Sequence, residues 1–125
     1  MRAYDETILS LLESEIGNEP IYHVGLGAND FQFSFGNLVR VQNMLRVDFC
    51  IQSIEYTWQI GPCAIPVWLL IDQVPRAAML ETPTALGINL ASGDWLRLHT
   101  DESPYESQIF EWSRAKDGPI PMHIY

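Results

Sequence analysis

The stretch that decides the fold runs from Asp94 to Trp112 and reads DWLRLHTDESPYESQIFEW. Leucines at 96 and 98 alternate with Arg97 and His99, which is typical of a strand with one apolar face. An acidic segment that contains a tyrosine follows, and Ser107–Trp112 then has the composition of a returning strand. The pattern predicts a β-ribbon whose turn carries the acidic residues.

Two hairpins are predicted from the same alternation. Leu86–Leu90 and Trp95–His99 flank the turn residues Ala91-Ser92-Gly93. Earlier in the chain, Phe31–Phe35 and Leu38–Asn43 flank Gly36-Asn37 in the same way. We therefore expect one hairpin in each half of the chain.

The two hairpins match each other residue by residue. Five pairs share one offset (93 − 36 = 57): Gly36 and Gly93, Asn37 and Asp94, Val39 and Leu96, Arg40 and Arg97, Val41 and Leu98. Further on, Tyr56 and Trp58 fall roughly where Phe110 and Trp112 fall. The pattern indicates an internal duplication, with repeats at about 5–60 and 64–114 within a single domain, 1–125. Chance resemblance between two ordinary hairpins is the alternative.

Helices and the remaining strands complete the predicted fold. Asp5 can cap a helix that ends at Gly17-Asn18 and has apolar residues at 8, 9, 11, 12 and 16. Val67–Ile71, after Pro66, is a buried strand or a short helix, and the repeat favours the helix. Further strands are expected at 21–25, 45–51, 54–60, 76–81 and, as an edge strand, 120–125. A turn at Gln52-Ser53 separates two of them. The fold class is α+β and β-rich: two similar units of one helix and antiparallel strands, related by a pseudo-two-fold axis.

Composition restricts the classes of partner. Sixteen acidic and seven basic residues give a net charge of −9 and a pI near 4.5. This balance argues against nucleic acids and anionic membranes, which require clustered Lys and Arg, and it suits a basic protein. No signal-peptide pattern or membrane span is recognised. Together with two cysteines, Cys50 and Cys63, this predicts a cytoplasmic protein with free thiols.

Candidate chemistry is sparse. The three histidines, at 23, 99 and 123, do not have the spacing of a local metal motif. His99 and Asp101 could form a general-base pair, but no nucleophile with an oxyanion loop accompanies them. We expect no metal, no cofactor and no enzymatic activity.

The acidic segment is the candidate interaction surface. Trp95 is two residues before Arg97, so both side chains are expected on the same face of the strand, opposite to Leu96 and Leu98. On this exposed face an aromatic side chain can anchor an interface. Carboxylates around the hairpin end could attract a basic partner and accelerate its encounter. The predicted partner-binding residues are Asp94, Trp95, Asp101, Glu102, Tyr105 and Glu106.

Residues 90–112, about a fifth of the chain, also resemble a family pattern. Gly93-Asp94, Leu96, Leu98, Tyr105-Glu106-Ser107 and Trp112 resemble the G-D-x-L-x-L…Y-E-S core of small, poorly characterised bacterial proteins. Several of these are encoded beside polymorphic or contact-dependent toxins. Gln108 stands where that pattern has an aromatic residue. The resemblance implies a cytosolic immunity protein that binds and neutralises a cognate toxin domain.

Two other functions stay open at the level of sequence. The chain could be a non-catalytic structural or adaptor protein that forms a homodimer through the edge strand near Tyr125. It could also be a small-molecule-binding protein or a hydrolase that uses the acidic end of the hairpin.

Overall fold

Two antiparallel sheets and one helix make up most of the structure. The computed structural model describes residues 3–59, 61, 64–101, 106–113 and 122–125. Within these ranges the chain forms one α-helix, one 3-10 helix and ten strands, arranged in two five-stranded sheets. A single hydrophobic core contains residues from both sheets and from both helices. The β-rich α+β class predicted from the sequence is confirmed.

Each sheet contains strands from both halves of the chain. The first sheet has the order β1 (Ile21–Leu26), β2 (Phe31–Phe35), β3 (Leu38–Asn43), β9 (Gln108–Trp112) and β10 (Met122–Ile124). The second sheet has the order β5 (Ile54–Gln59), β4 (Arg46–Ile51), β8 (Trp95–His99), β7 (Ala85–Leu90) and β6 (Pro75–Thr82). The chain therefore crosses between the sheets after β3 and again after β8.

The predicted N-terminal helix is confirmed as α1, Glu6–Glu15. The Asp5 side chain accepts a hydrogen bond from the backbone N–H of Ile8 at 3.0 Å, which satisfies a donor that the first turn leaves unpaired. Ile8 and Leu12 are fully buried, and they attach the helix to the core. The outer side of the helix carries exposed acidic residues.

The second predicted helix is only a four-residue 3-10 helix, Val67–Leu70. Asp72, two residues beyond its end, has a left-handed backbone with φ of 71°, a conformation that cannot continue a right-handed helix. Val67 and Leu70 are buried and hold this short helix against the core.

The prediction of one ribbon over residues 94–112 is wrong. β8 is hydrogen-bonded on both edges, to β4 through the Leu98–Val47 register and to β7 through Leu98–Leu86. An inner strand has no free edge for a returning neighbour. β9 instead lies in the first sheet, where it pairs with β3 and β10.

The other hairpin predictions agree with the structure. β2 pairs with β3, β7 pairs with β8, and β4 turns into β5 at Gln52-Ser53, whose φ angles are 53° and 66°. Tyr56 and Trp58 lie on the edge strand β5, whereas Phe110 and Trp112 lie on the inner strand β9. These two aromatic pairs therefore do not occupy matching strands of the two sheets.

Aromatic side chains join the two sheets across the core. The rings of Phe31 in the first sheet and Phe49 in the second are 4.9 Å apart, edge to face. Tyr4, which precedes α1, packs on Phe110 and Tyr125, and its hydroxyl donates to the carbonyl of Leu98. Burial, with Tyr125 nearby, raises the pKa of Tyr4 well above its ordinary value. Full burial of one such side chain stabilises the fold by about 1.5–3 kcal/mol.

Asn43 connects the two places where the chain changes sheets. Its amide nitrogen donates to the carbonyl of His99 at 2.9 Å and to the side chain of Gln108 at 2.7 Å. Its amide oxygen accepts from the backbone N–H groups of Leu45 and Arg46. This fully buried side chain thus fixes the ends of β3 and β8 and the starts of β4 and β9.

Candidate functional site

The predicted partner-binding residues do not form one cluster. Asp94 and Asp101 flank opposite ends of β8, on the order of 20 Å apart along the strand. Glu106 is exposed just before β9, and Asp101 is half-buried, with Ser107 Oγ donating to it at 3.4 Å. Glu102 and Tyr105 lie outside the described residues.

Asp94 has a structural position. Its side chain is buried and accepts hydrogen bonds from the backbone N–H of Gln52 and from the side-chain amide of Gln73, both at 3.0 Å. It therefore connects the β4–β5 turn to the segment that follows the 3-10 helix. A carboxylate held in this way stabilises the fold and presents little surface to a partner.

Trp95 lies on the outward face of the second sheet. Leu96 and Leu98 are fully buried, while Trp95, Arg97 and His99 are partly exposed, as the alternation predicted. The Arg97 guanidinium lies 4.8 Å from the centre of the Trp95 ring, so a cation of the chain itself covers part of the indole face.

Asp48 is the centre of a polar cluster on this outward face. His99 Nε2 lies 2.9 Å from Asp48 Oδ2, while Arg46 and Thr57 donate to Oδ1 at 3.0 Å. Arg97 lies 3.7 Å away and also pairs with Glu81. Three strands, β4, β5 and β8, are thereby joined through one carboxylate.

The surroundings of Asp48 favour its ionised form. Burial opposes ionisation, since only 7% of the residue is exposed. Hydrogen bonds from His99, Arg46 and Thr57, with the charge of His99, outweigh burial and hold the pKa of Asp48 below its ordinary value. Asp48 thus serves as the anion that neutralises the bases around it.

Sequence reasoning missed this cluster because it depends on strand pairing. Arg46 and Asp48 are two residues apart and therefore share one face of their strand, but no local signal in the sequence places that strand beside β8. The structure makes Asp48 the carboxylate partner of His99, where the sequence had suggested Asp101.

A cavity of about 510 Å³ lies next to this cluster, lined by Leu45, Arg46, Gln59, His99 and Thr100. Its polar lining includes one guanidinium and one imidazole. Among the described residues that line it, none is a serine or a cysteine. The described residues also contain no group of three His, Cys, Asp or Glu side chains placed to hold a metal ion.

The first sheet carries a comparable polar network. Asp30 accepts from the side-chain amides of Gln32 and Gln42, both at 2.9 Å. Arg40 donates to Gln42 and forms an ion pair with Glu111 at 3.0 Å. Arg40 in β3 and Arg97 in β8 thus each pair with a carboxylate of an adjacent strand that comes from the other half of the chain.

These networks leave the exposed surface strongly acidic. Arg40, Arg46 and Arg97 are only partly exposed, and all three form ion pairs within the sheets. Among the described residues, Arg76 is the one exposed basic residue other than histidine. The exposed acidic residues in the same part of the chain are Asp5, Glu6, Glu13, Glu19, Glu55, Asp72, Glu81 and Glu106.

Comparison with other proteins gives no family for the chain. No protein-family model, curated protein or solved structure matches it. Among the described helices, none has the length and apolar character needed to cross a membrane.

Proposed function

We propose that this chain is an immunity protein that neutralises a cognate bacterial toxin domain by stoichiometric binding, in the cytoplasm and without catalysis. One observation carries the proposal: eight acidic residues and one basic residue are exposed in the described part of the chain. An anionic surface of this kind attracts a basic partner and accelerates its encounter. The resemblance of residues 90–112 to proteins encoded beside toxins supplies the class of partner.

The ion-pair networks make this surface possible. Fully exposed arginines would neutralise neighbouring surface carboxylates and weaken the negative electrostatic potential of the surface. Arg40, Arg46 and Arg97 are paired inside the two sheets instead. Exposed carboxylates on α1, on β5 and before β9 then act on an approaching partner with little internal compensation.

Four of the proposed contacts lie near the end of β8. Asp101 and Glu106 flank this end, and Glu102 and Tyr105 lie between them in sequence. Trp95, at the start of β8, contributes its exposed edge on the outward face. Asp94 precedes that start and supports Trp95 from inside rather than by direct contact with a partner, because its carboxylate already has two partners in the chain.

We also infer that the two halves are repeats related by a pseudo-two-fold axis. In the first sheet, β1-β2-β3 are followed by β9-β10, and in the second sheet β6-β7-β8 are followed by β4-β5. The two sheets have equivalent strand orders if β1, β2 and β3 correspond to β6, β7 and β8, and if β9 and β10 correspond to β4 and β5. An experimental structure in which β1–β5 superpose on β6–β10 after one rotation of about 180° would support the repeat, and failure to superpose would reject it.

The direct test begins with the product of the gene immediately upstream, which the proposal expects to be a secreted protein with a variable C-terminal domain. That domain, mixed with this chain, should form a 1:1 complex by light scattering and should lose its toxic activity in proportion to the chain added. A domain from an unrelated toxin serves as the control. If the upstream domain does not bind, or if inhibition is substoichiometric, the proposal is wrong.

A second candidate function is small-molecule binding in the cavity beside His99. The cavity size is within the range of ligand sites, and Arg46 and Gln59 supply polar groups. A ligand found there by mass spectrometry of the natively purified chain would favour it. The homodimer alternative places its interface at β10, which is an edge strand of the first sheet, and light scattering of the isolated chain tests it.

A further inference from the structure

Trp68 is unusual because it is both exposed and rigidly held. Its residue exposure is 66%, and Tyr22 on the neighbouring β1 is 54% exposed. Large aromatic side chains stabilise folds when they are buried, so a tryptophan whose indole faces solvent contributes less to the stability of the fold than a buried one. Val67 and Leu70, on the same 3-10 helix, are buried, and they fix the backbone from which Trp68 projects.

An apolar hollow of about 440 Å³ lies beside Trp68. Its other lining residues are Leu26, Ala64, Ile65, Pro66 and Val67. Two backbone hydrogen bonds of 2.8 Å join Ile21, the first residue of β1, to residues 72 and 73, which follow the 3-10 helix. The hollow itself lies between Leu26, the last residue of β1, and the segment 64–68.

Two carboxylates lie beside the start of β1, and Asp72 is the one close to Trp68: the backbone N–H of the preceding residue, Ile71, donates to the carbonyl of Trp68 at 3.2 Å. Asp72 donates its backbone N–H to Ile21, and Glu19 lies two residues before Ile21. Both acidic residues are exposed. The hollow thus lies beside Trp68 near the end of β1, whereas Asp72 follows Trp68 in the chain and lies beside the start of β1.

We propose that Trp68, this hollow and the carboxylate of Asp72 form a binding site for an arginine side chain of a partner protein. An arginine stem is aliphatic and suits the hollow, while its planar guanidinium stacks on an indole and pairs with carboxylates. The chain already makes this contact internally, where Arg97 lies over Trp95. No cation of the described residues covers Trp68 in the same way.

The inference rests on the proposed function, because it identifies where a basic partner would be anchored. Aromatic residues with a polar rim are the usual energetic centres of protein interfaces. The charge of −9 and the carboxylate of Asp72 favour arginine over an apolar or acidic side chain as the occupant. This surface is separate from the proposed contacts at the end of β8.

A peptide titration tests the site without the partner. The probe is a hexa-arginine peptide at low ionic strength, and the control is a citrulline peptide of the same length, which is similar in shape but uncharged. Binding is followed by NMR through the four tryptophan indole N–H signals, with that of Trp68 assigned from Trp68→Phe. We expect the Trp68 signal to shift saturably with the arginine peptide and to stay in place with the citrulline peptide.

Variants define the contribution of each part. Trp68→Leu should weaken peptide binding about two- to five-fold, the range of an exposed cation–π contact. Asp72→Asn should weaken it as well, and asparagine tolerates the left-handed backbone at this position. Glu55→Gln, an exposed carboxylate on the edge strand β5, is the matched control and should leave the affinity unchanged.

The outcomes separate this site from the broader proposal. If the arginine peptide shifts signals elsewhere and leaves Trp68 unmoved, this site is wrong, while a toxin complex found upstream would still support an immunity function. If the citrulline peptide shifts Trp68 equally, or if Trp68→Leu binds as tightly as the native chain, the assignment to arginine is also overturned.

Discussion

Asp48 and His99 are 51 residues apart in sequence, yet Oδ2 of Asp48 lies 2.9 Å from Nε2 of His99. Asp48 also accepts from Thr57, so a single carboxylate connects β8, β4 and the edge strand β5. Hydrogen bonds to charged groups contribute about 1.5–3 kcal/mol each, which makes this cluster a principal support of the second sheet.

Replacement of Asp48 by asparagine should destabilise the protein. The change removes the charge that neutralises Arg46 and Arg97, and we expect the free energy of unfolding to fall by about 1–3 kcal/mol. Urea denaturation measures it. Glu55→Gln, on the neighbouring strand, is the control and should change stability by less than about 0.5 kcal/mol. Equal stability of the two variants would contradict the role given to Asp48.

The same carboxylate predicts a pH dependence. The pKa of Asp48 is lower in the folded chain than in the unfolded chain, where it is about 3.9. Its contribution is therefore complete above that unfolded value and disappears as the pH falls through the folded value. Between pH 2.5 and 5, urea midpoints of the native chain and of Asp48→Asn should converge as the pH decreases. Parallel curves across this range would show that Asp48 is not the responsible group.

The contact between Phe31 and Phe49 should hold the two sheets together. Both rings are fully buried, and their centres lie 4.9 Å apart. Phe49→Ala leaves a cavity between the sheets and should cost about 3–5 kcal/mol in unfolding free energy. Ile54→Ala, at a position that is 56% exposed on the adjoining strand, is the control. A loss at Phe49 no larger than that at Ile54 would argue against a shared core.

The β4–β5 turn offers a stabilising substitution. Gln52 and Ser53 both have positive φ, which costs L-residues about 1–2 kcal/mol each. Asn-Gly is the preferred pair for such two-residue turns. The double variant Gln52→Asn, Ser53→Gly should therefore raise the melting temperature, and it keeps the backbone N–H that Asp94 accepts from. A lower melting temperature would show that the side chains of Gln52 and Ser53 stabilise the fold by more than their backbone strain destabilises it.

Local patterns predicted most of the individual elements. The Asp5 cap, the alternation around Gly36 and Gly93 and the parity change at Gln52-Ser53 each depend on residues close in sequence. Such signals specify an element and one of its faces. They do not specify which strands become neighbours, because pairing depends on packing between distant segments.

The errors and omissions follow from that limit. The segment after His99 looked like a turn, yet both edges of β8 are occupied and the chain crosses to the other sheet. The sequence also did not reveal the pairing of Asp48 with His99 or the exposure of Trp68, because both depend on how distant segments pack together. In the sequence, Trp68 is one of several apolar residues after Pro66, and only the buried contacts of Val67 and Leu70 show which side faces outward.

The most direct test of the central claim is the association rate with the cognate toxin domain that the proposal expects, measured as the salt concentration rises. Stopped-flow measurement should give a rate that falls steeply with salt, because the exposed carboxylates steer a basic partner. Reversal of charge at Asp101, Glu102 and Glu106 should slow association several-fold at low salt, while reversal at Glu55 alone should have a smaller effect. An association rate that is unchanged by salt would contradict recognition through an acidic surface.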